Sequence, residues 1–94
     1  MSELMQPEEI QLALKKVPEW EIDNNSITRT FEFDDFAESM EFVNNVAEIA
    51  EDAEHHPDID IRWNKVTLTL STHSKGGITE NDFEVAARID NLDE

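Results

Sequence analysis

Two stretches of alternating apolar and polar residues, each broken by a very short turn, constrain this chain more than any other feature. In the first, Trp20 and Ile22 share one face over residues 19–23, Asn24-Asn25 signals a turn, and Ile27, Phe31 and Phe33 alternate inward over 26–33, with Arg29 interrupting them. In the second, Ile59, Ile61 and Trp63 alternate with Asp60 and Arg62, Asn64-Lys65 signals a turn, and Val66, Leu68 and Leu70 alternate with Thr67, Thr69 and Ser71. A period of two marks a strand with one buried face. Turns this short can join only antiparallel strands. The pattern predicts two β-hairpins whose apolar faces must be covered by something else.

Three helical segments supply the cover. Residues 7–16 begin with Pro7 in the first turn, carry Glu8 and Glu9 at the positive end of the dipole and Lys15-Lys16 at the negative end, and stop at Pro18. Their apolar stripe is Ile10, Ala13, Leu14 and Val17. Residues 35–53 carry Phe36, Met40, Val43, Ala47 and Ala50 at helical spacing, flanked by Val46, Ile49 and Ala53, with Asp34 or Asp35 as N-cap and Asp35-x-x-Glu38 at capping-box spacing. Residues 79–92 open with Thr79 as N-cap and Asp82 at N3, Ile78 is placed to staple onto Phe83, and Ala86, Ala87, Ile89 and Leu92 extend the apolar face. Helices covering one face of a sheet make a two-layer sandwich. The expected fold is therefore α+β: a four-stranded antiparallel sheet covered on one face by three helices, in the order α-β-β-α-β-β-α. A length of 94 residues fits one domain over 1–94. Open sheet edges in so small a domain favour a homodimer or homotetramer.

Charge and composition remove whole classes of function. Asp and Glu number 23 against 7 Lys and Arg, a formal charge of −16. A phosphate backbone or an anionic membrane surface repels such a chain, so neither nucleic acid nor membrane is an expected partner. The acid excess fits ordinary acidic solubility or a salty cytoplasm. There is no cysteine, which excludes disulfides, thiolate zinc, iron–sulfur clusters and a cysteine nucleophile. No apolar run approaches the ~18 residues of a membrane span. Met1-Ser2-Glu3-Leu4 has neither the basic nor the apolar region of a leader, so the expected location is cytoplasmic.

The three histidines, His55, His56 and His73, all lie at ends of elements. A lone histidine there is most often a surface or capping residue. An adjacent pair plus a third, in a chain with no others, supports proton transfer, for which imidazole is suited near neutral pH. Glu51, Asp52 and Glu54 stand at the wrong end of the helix dipole. They are either a solvated patch or acids that orient the histidines. Metal is the rival reading, but adjacent histidines rarely share one ion, and no His-x-His or His-x-x-x-His spacing occurs. Asp82 is first a capping-box partner of Thr79 and second a carboxylate able to orient a histidine or bind a substrate nitrogen. Trp63 alone reads as a packing residue, and Gly76-Gly77 is too short for a phosphate loop.

Glu51-x-x-x-His55-His56-Pro57, followed by Trp63, His73 and Asp82 at fixed gaps, resembles the signature of the pterin-4a-carbinolamine dehydratase family. The run from Asn64-Lys65-Val66 to Thr72-His73 is similar to that family's second hairpin, and the element order agrees over residues 6–92. The resemblance implies conversion of 4a-hydroxytetrahydropterin to quinonoid dihydropterin in pterin recycling, with no metal or redox cofactor, by a dimer or tetramer. It implies that His55, His56 and His73 are catalytic, and that Glu51, Asp82 and Trp63 lie at the substrate. Alternatives are a non-catalytic pterin-binding or protein-interaction module of the same fold, or a relative serving molybdenum-cofactor metabolism. Two positions depart from the pattern: Ile59 stands where many members have an aromatic residue, and Lys75 where animal members have a cysteine. The transcription-factor partnership of the animal proteins gains no support from the charge of −16.

Overall fold

The computed structural model describes residues 3–93; Met1, Ser2 and Glu94, the ends of the domain expected over 1–94, lie outside the described residues. Those residues form α1 (Pro7–Leu14), β1 (Glu21–Asp23), β2 (Ser26–Glu32), α2 (Phe36–Ala53), β3 (Asp58–Arg62), β4 (Lys65–Leu70) and α3 (Glu80–Asp90), with short 3-10 turns at His73–Lys75 and Asn91–Asp93. The sheet is antiparallel throughout, in the order β1-β2-β4-β3. The α+β architecture is as the alternation predicts.

The register explains the two faces. Ile27, Arg29 and Phe31 stand opposite Leu70, Leu68 and Val66. Side chains directly opposite one another share a face, and all of these except Arg29 are buried. They pack with Val46 and Phe42 of α2 and with Val85, Ala86 and Ile89 of α3 in one core cluster. On the other face, Thr28 pairs with Thr69 and Thr30 with Thr67, their hydroxyls 3.3 Å and 2.8 Å apart. That face is a threonine ladder, half-buried or exposed, with no apolar side chain to hide.

Arg29 interrupts the apolar series because it has its own partner on the helix layer. Its Nη1 lies 2.7 Å from Asp90 Oδ1, which also accepts from Trp20 Nε1 at 2.9 Å, and its guanidinium stacks 4.1 Å from the Phe31 ring centroid. One carboxylate thus ties β2, the entry to β1 and the end of α3 together. A charge this close to the core is tolerated only when paired.

Several expectations shift. α1 ends at Leu14, with Lys15 and Lys16 in the following turn, and none of its residues is fully buried. Val17, just past it, is. The buried stripe of α2 is Ser39, Phe42, Val46 and Ala50, rather than the one led by Phe36 and Met40. Phe36 is the first helical residue and stays 50% exposed. Ser39 can be buried because its hydroxyl donates to the Trp63 carbonyl at 2.7 Å, with the Asp35 carbonyl nearby at 3.2 Å. Asp35 is the N-cap, accepting from the Glu38 amide at 2.9 Å, while Glu38 reaches back to the amide of Asp34. Ile22, Ile59 and Ile61 face the helix layer by register, yet all three are exposed. They lie on the two edge strands, beyond the reach of the helices.

The second turn is Trp63-Asn64, not Asn64-Lys65, because Arg62 pairs with Lys65 and Ile61 with Val66. Trp63 adopts the left-handed φ of 53°, unusual for a bulky residue. The surroundings hold it there. Ser39 Oγ donates to its carbonyl at 2.7 Å, and Asn64 and Phe33 exchange hydrogen bonds across the turn. Phe42 lies beneath, 4.6 Å from the Phe31 ring and 5.0 Å from Phe33.

The phase of α2 yields a direct test. Phe42→Ala is expected to lower unfolding stability by about 3–5 kcal/mol, as for a phenylalanine removed from a packed core. Phe36→Ala, at the half-exposed helix start, is expected to cost less than about 1 kcal/mol. Urea unfolding of the two variants checks the order, and a reversed order contradicts this packing.

Candidate active site

The end of α2 is set by one backbone residue. Glu54 takes the left-handed conformation (φ 54°), and the amide of His55 folds back to the carbonyl of Ala50 at 3.1 Å. This is the usual way a helix is closed, although the closing residue is more often glycine. The turn sends His55 inward, to 14% side-chain exposure, and leaves His56 outside at 59%. The three acids at this end each have a distinct role. Glu51 Oε2 lies 2.6 Å from His56 Nε2, Asp52 receives Arg88 of α3 at 2.9 Å, and Glu54 makes the closing turn.

His55 meets the start of α3. Its Nε2 lies 2.5 Å from Oδ1 of Asp82, whose side chain has no exposure at all. A carboxylate removed from water needs its lone pairs filled, and Asp82 has them filled. Oδ2 accepts from the Thr79 amide at 2.9 Å, completing the capping box, and from the Thr72 hydroxyl at 3.0 Å. No buried side-chain nitrogen or oxygen among the described residues lacks a partner. With the carboxylate as acceptor, Nε2 of His55 carries the proton. Nδ1 has no protein partner among the described residues and is not buried, so it opens to solvent.

The third histidine follows the end of β4. Asp58 stands opposite Thr69. Beyond that pair the ladder ends, and it is Asp82 that joins Thr72 to His55, with His73 the next residue along the chain. His73 begins the exposed 3-10 turn His73–Lys75, closed by Gly76 at φ 75°, a conformation suited to glycine. A bridge between Thr72 and Gly77 fixes the base of this turn, with the Thr72 amide donating to the Gly77 carbonyl at 2.8 Å.

The structure therefore gathers His55, Asp82, Thr72 and the start of the His73 turn, with the His56–Glu51 pair next along the chain. Trp63 is elsewhere. Its carbonyl is held by Ser39 near the start of α2, about 20 Å from the histidine end at 1.5 Å per residue. It is 65% exposed, and within this chain it does not approach the imidazoles. Thr72 and its contact with Asp82 were not foreseen from sequence. A groove of about 520 Å³ runs between α1 and α3 past Leu12, Ala13, Phe83 and Ala87, and it contains none of the histidines. Chemistry favours the His55 end of the molecule, because there an imidazole is held on a buried carboxylate.

The family profile described as "Pterin 4 alpha carbinolamine dehydratase" matches residues 3–92. The chain belongs to that family. A Picosynechococcus protein named "Putative pterin-4-alpha-carbinolamine dehydratase" is 50% identical over 89% of this chain and 91% of its own length. A crystal structure of a "transcriptional coactivator/pterin dehydratase" from Brucella melitensis superposes with a TM-score of 0.90 at 34% identity, covering 95% of this chain and 97% of that one. A pterin dehydratase-like protein identified as a RuBisCO assembly factor in the alpha-carboxysome is more distant, with a TM-score of 0.63 at 26% identity over 78% of this chain and 84% of its own.

The two histidine-bound carboxylates of this pterin dehydratase family member sit in opposite environments, and stability separates them. Asp82→Ala strands the buried Thr79 amide and Thr72 hydroxyl and is expected to cost about 1–3 kcal/mol. Glu51→Gln, at an exposed pair, is expected to leave the urea midpoint unchanged. Equal losses would contradict the burial of Asp82.

Proposed function

We propose that this protein is a 4a-hydroxytetrahydropterin dehydratase, a hydro-lyase of pterin cofactor recycling in the cytoplasm, with the pterin as its small-molecule partner. The observation that carries the proposal is His55, fixed through Nε2 on a buried carboxylate and open at Nδ1, with His56 next to it in the chain and His73 next to Thr72, which shares that carboxylate. The reaction needs little more. The C4a hydroxyl leaves as water after taking a proton, N5 gives up its proton, and a C4a=N5 double bond forms. Electrons are neither gained nor lost, so the chemistry asks for one proton donor and one acceptor.

In this proposal Nδ1 of His55 accepts the N5 proton. An exposed imidazole, His56 or His73, hands a proton to the departing hydroxyl. Asp82 keeps the His55 ring in one tautomer, and Glu51 holds His56. A carbinolamine loses water readily, and general acid–base help of about 10²–10⁴-fold is sufficient. Trp63 has no place in the proposed pocket of a single chain, since the length of α2 separates it from the histidines.

The likeness to the RuBisCO assembly factor supports a second reading, a protein-interaction module of the same fold. One assay separates the two. Decay of 4a-hydroxytetrahydropterin is followed with catalytic amounts of protein. The wild type is expected to accelerate it, and His55→Ala and His73→Ala each to lose about 10²–10⁴-fold in turnover while remaining folded by circular dichroism. Decay no faster than the spontaneous rate favours the interaction module. Full activity in both variants overturns the histidine roles.

A further inference from the structure

Thr72 lies in neither the family signature nor the expected site, yet three of the site's segments meet at it. Its hydroxyl donates to Asp82 Oδ2 at 3.0 Å. That hydroxyl has only one proton, so in its 2.7 Å contact with Thr79 it is the acceptor, and Thr79 donates. Thr79 Oγ1 in turn accepts the Asn81 amide at 3.2 Å. Donation runs one way, from the Asn81 amide to the Thr79 hydroxyl, from there to the Thr72 hydroxyl, and finally to the Asp82 carboxylate, which only accepts. Bonds aligned head to tail polarise one another. With Oδ2 occupied by the Thr72 hydroxyl and the Thr79 amide, Oδ1 is the oxygen left for His55.

The backbone of Thr72 has a second task. Its carbonyl accepts from Lys75 at 2.9 Å and Gly76 at 3.0 Å, which closes the turn that begins at His73. Thr72 is buried, at 8% exposure. One residue thus fixes the aim of Asp82 through its side chain and the turn of His73 through its main chain.

We propose that Thr72 is a positioning residue. Its hydroxyl turns the Asp82 carboxylate so that Oδ1 holds His55 in the Nε2–H tautomer, and so sets the proton-accepting Nδ1 of His55 in register with His73. The catalytic consequence rests on the dehydratase reading, whereas the tautomer consequence does not. Valine matches threonine in shape and lacks the hydroxyl; serine keeps the hydroxyl and lacks only the methyl.

The test uses the full chain and two readouts. The first is the imidazole nitrogen–proton correlation spectrum of His55 in ¹⁵N-labelled protein. The second is kcat and KM for dehydration. Wild type is expected to show the proton on Nε2. Thr72→Val is expected to show a mixture of tautomers and a kcat lower by about tenfold or more, since small misplacements of a catalytic group carry such losses. KM is expected to stay unchanged, and Thr72→Ser to restore both readouts. A Thr72→Val protein with wild-type tautomer and kcat overturns the proposal. So does a wild-type spectrum with the proton on Nδ1, a result that does not depend on whether the valine variant folds. A wild type that fails to accelerate dehydration, with the His55 tautomer still sensitive to Thr72, sinks the dehydratase reading and leaves the positioning role standing.

Discussion

The fold around the histidines depends on hiding one carboxylate. Asp82 has no exposed side-chain surface, and a buried carboxylate without partners would cost several kcal/mol. Its three partners come from three places: His55 after α2, Thr72 after β4, and the Thr79 amide at the start of α3. None of these can move far without leaving a buried acceptor unfilled. The polar knot therefore joins, at one end of the molecule, the same elements that the apolar core joins in its middle. Capping of α3 and orientation of His55 are one interaction seen from two sides.

That arrangement accounts for features that look unfavourable in isolation. Acids at the end of α2 oppose its dipole, but Glu51 holds His56 and Asp52 meets Arg88. Glu54 accepts a left-handed backbone that glycine would adopt more easily, and the result is a helix that ends with one imidazole inside and one outside. At the far end of α2, Trp63 is also left-handed, held by Ser39 and Asn64. Two of the left-handed non-glycine positions thus flank α2, one beside the histidines and one remote from them, while the third, Asn24, turns the first hairpin. Only the first takes part in the chemistry proposed for this pterin dehydratase family member.

Much of this is legible in the chain. Alternation over the two hairpins gives the antiparallel sheet, and Thr79-x-x-Asp82 gives the start of α3, because both are local patterns with local causes. What escapes is phase and reach. The stripe of α2 begins at Ser39, a polar residue that becomes a core residue only because the Trp63 carbonyl arrives from another element. Ile22, Ile59 and Ile61 have the right face and too little cover, because the width of the helix layer is not a property of any strand. His55 and His73 were singled out by rarity. Thr72, the neighbour of His73, meets His55 through Asp82, a contact among three elements that no strand pattern announces. The separation of Trp63 from the histidines has no local signal, since both belong to one sequence signature.

The central claim is that the pterin ring is handled where His55 presents Nδ1, beside the His73 turn. A crystal structure of the protein with a stable dihydropterin bound tests this most directly. The account predicts the ring within hydrogen-bond distance of His55 Nδ1, with Asp82 still enclosed behind Nε2. A ring seated in the groove between α1 and α3, or stacked on Trp63 with His55 untouched, would contradict it.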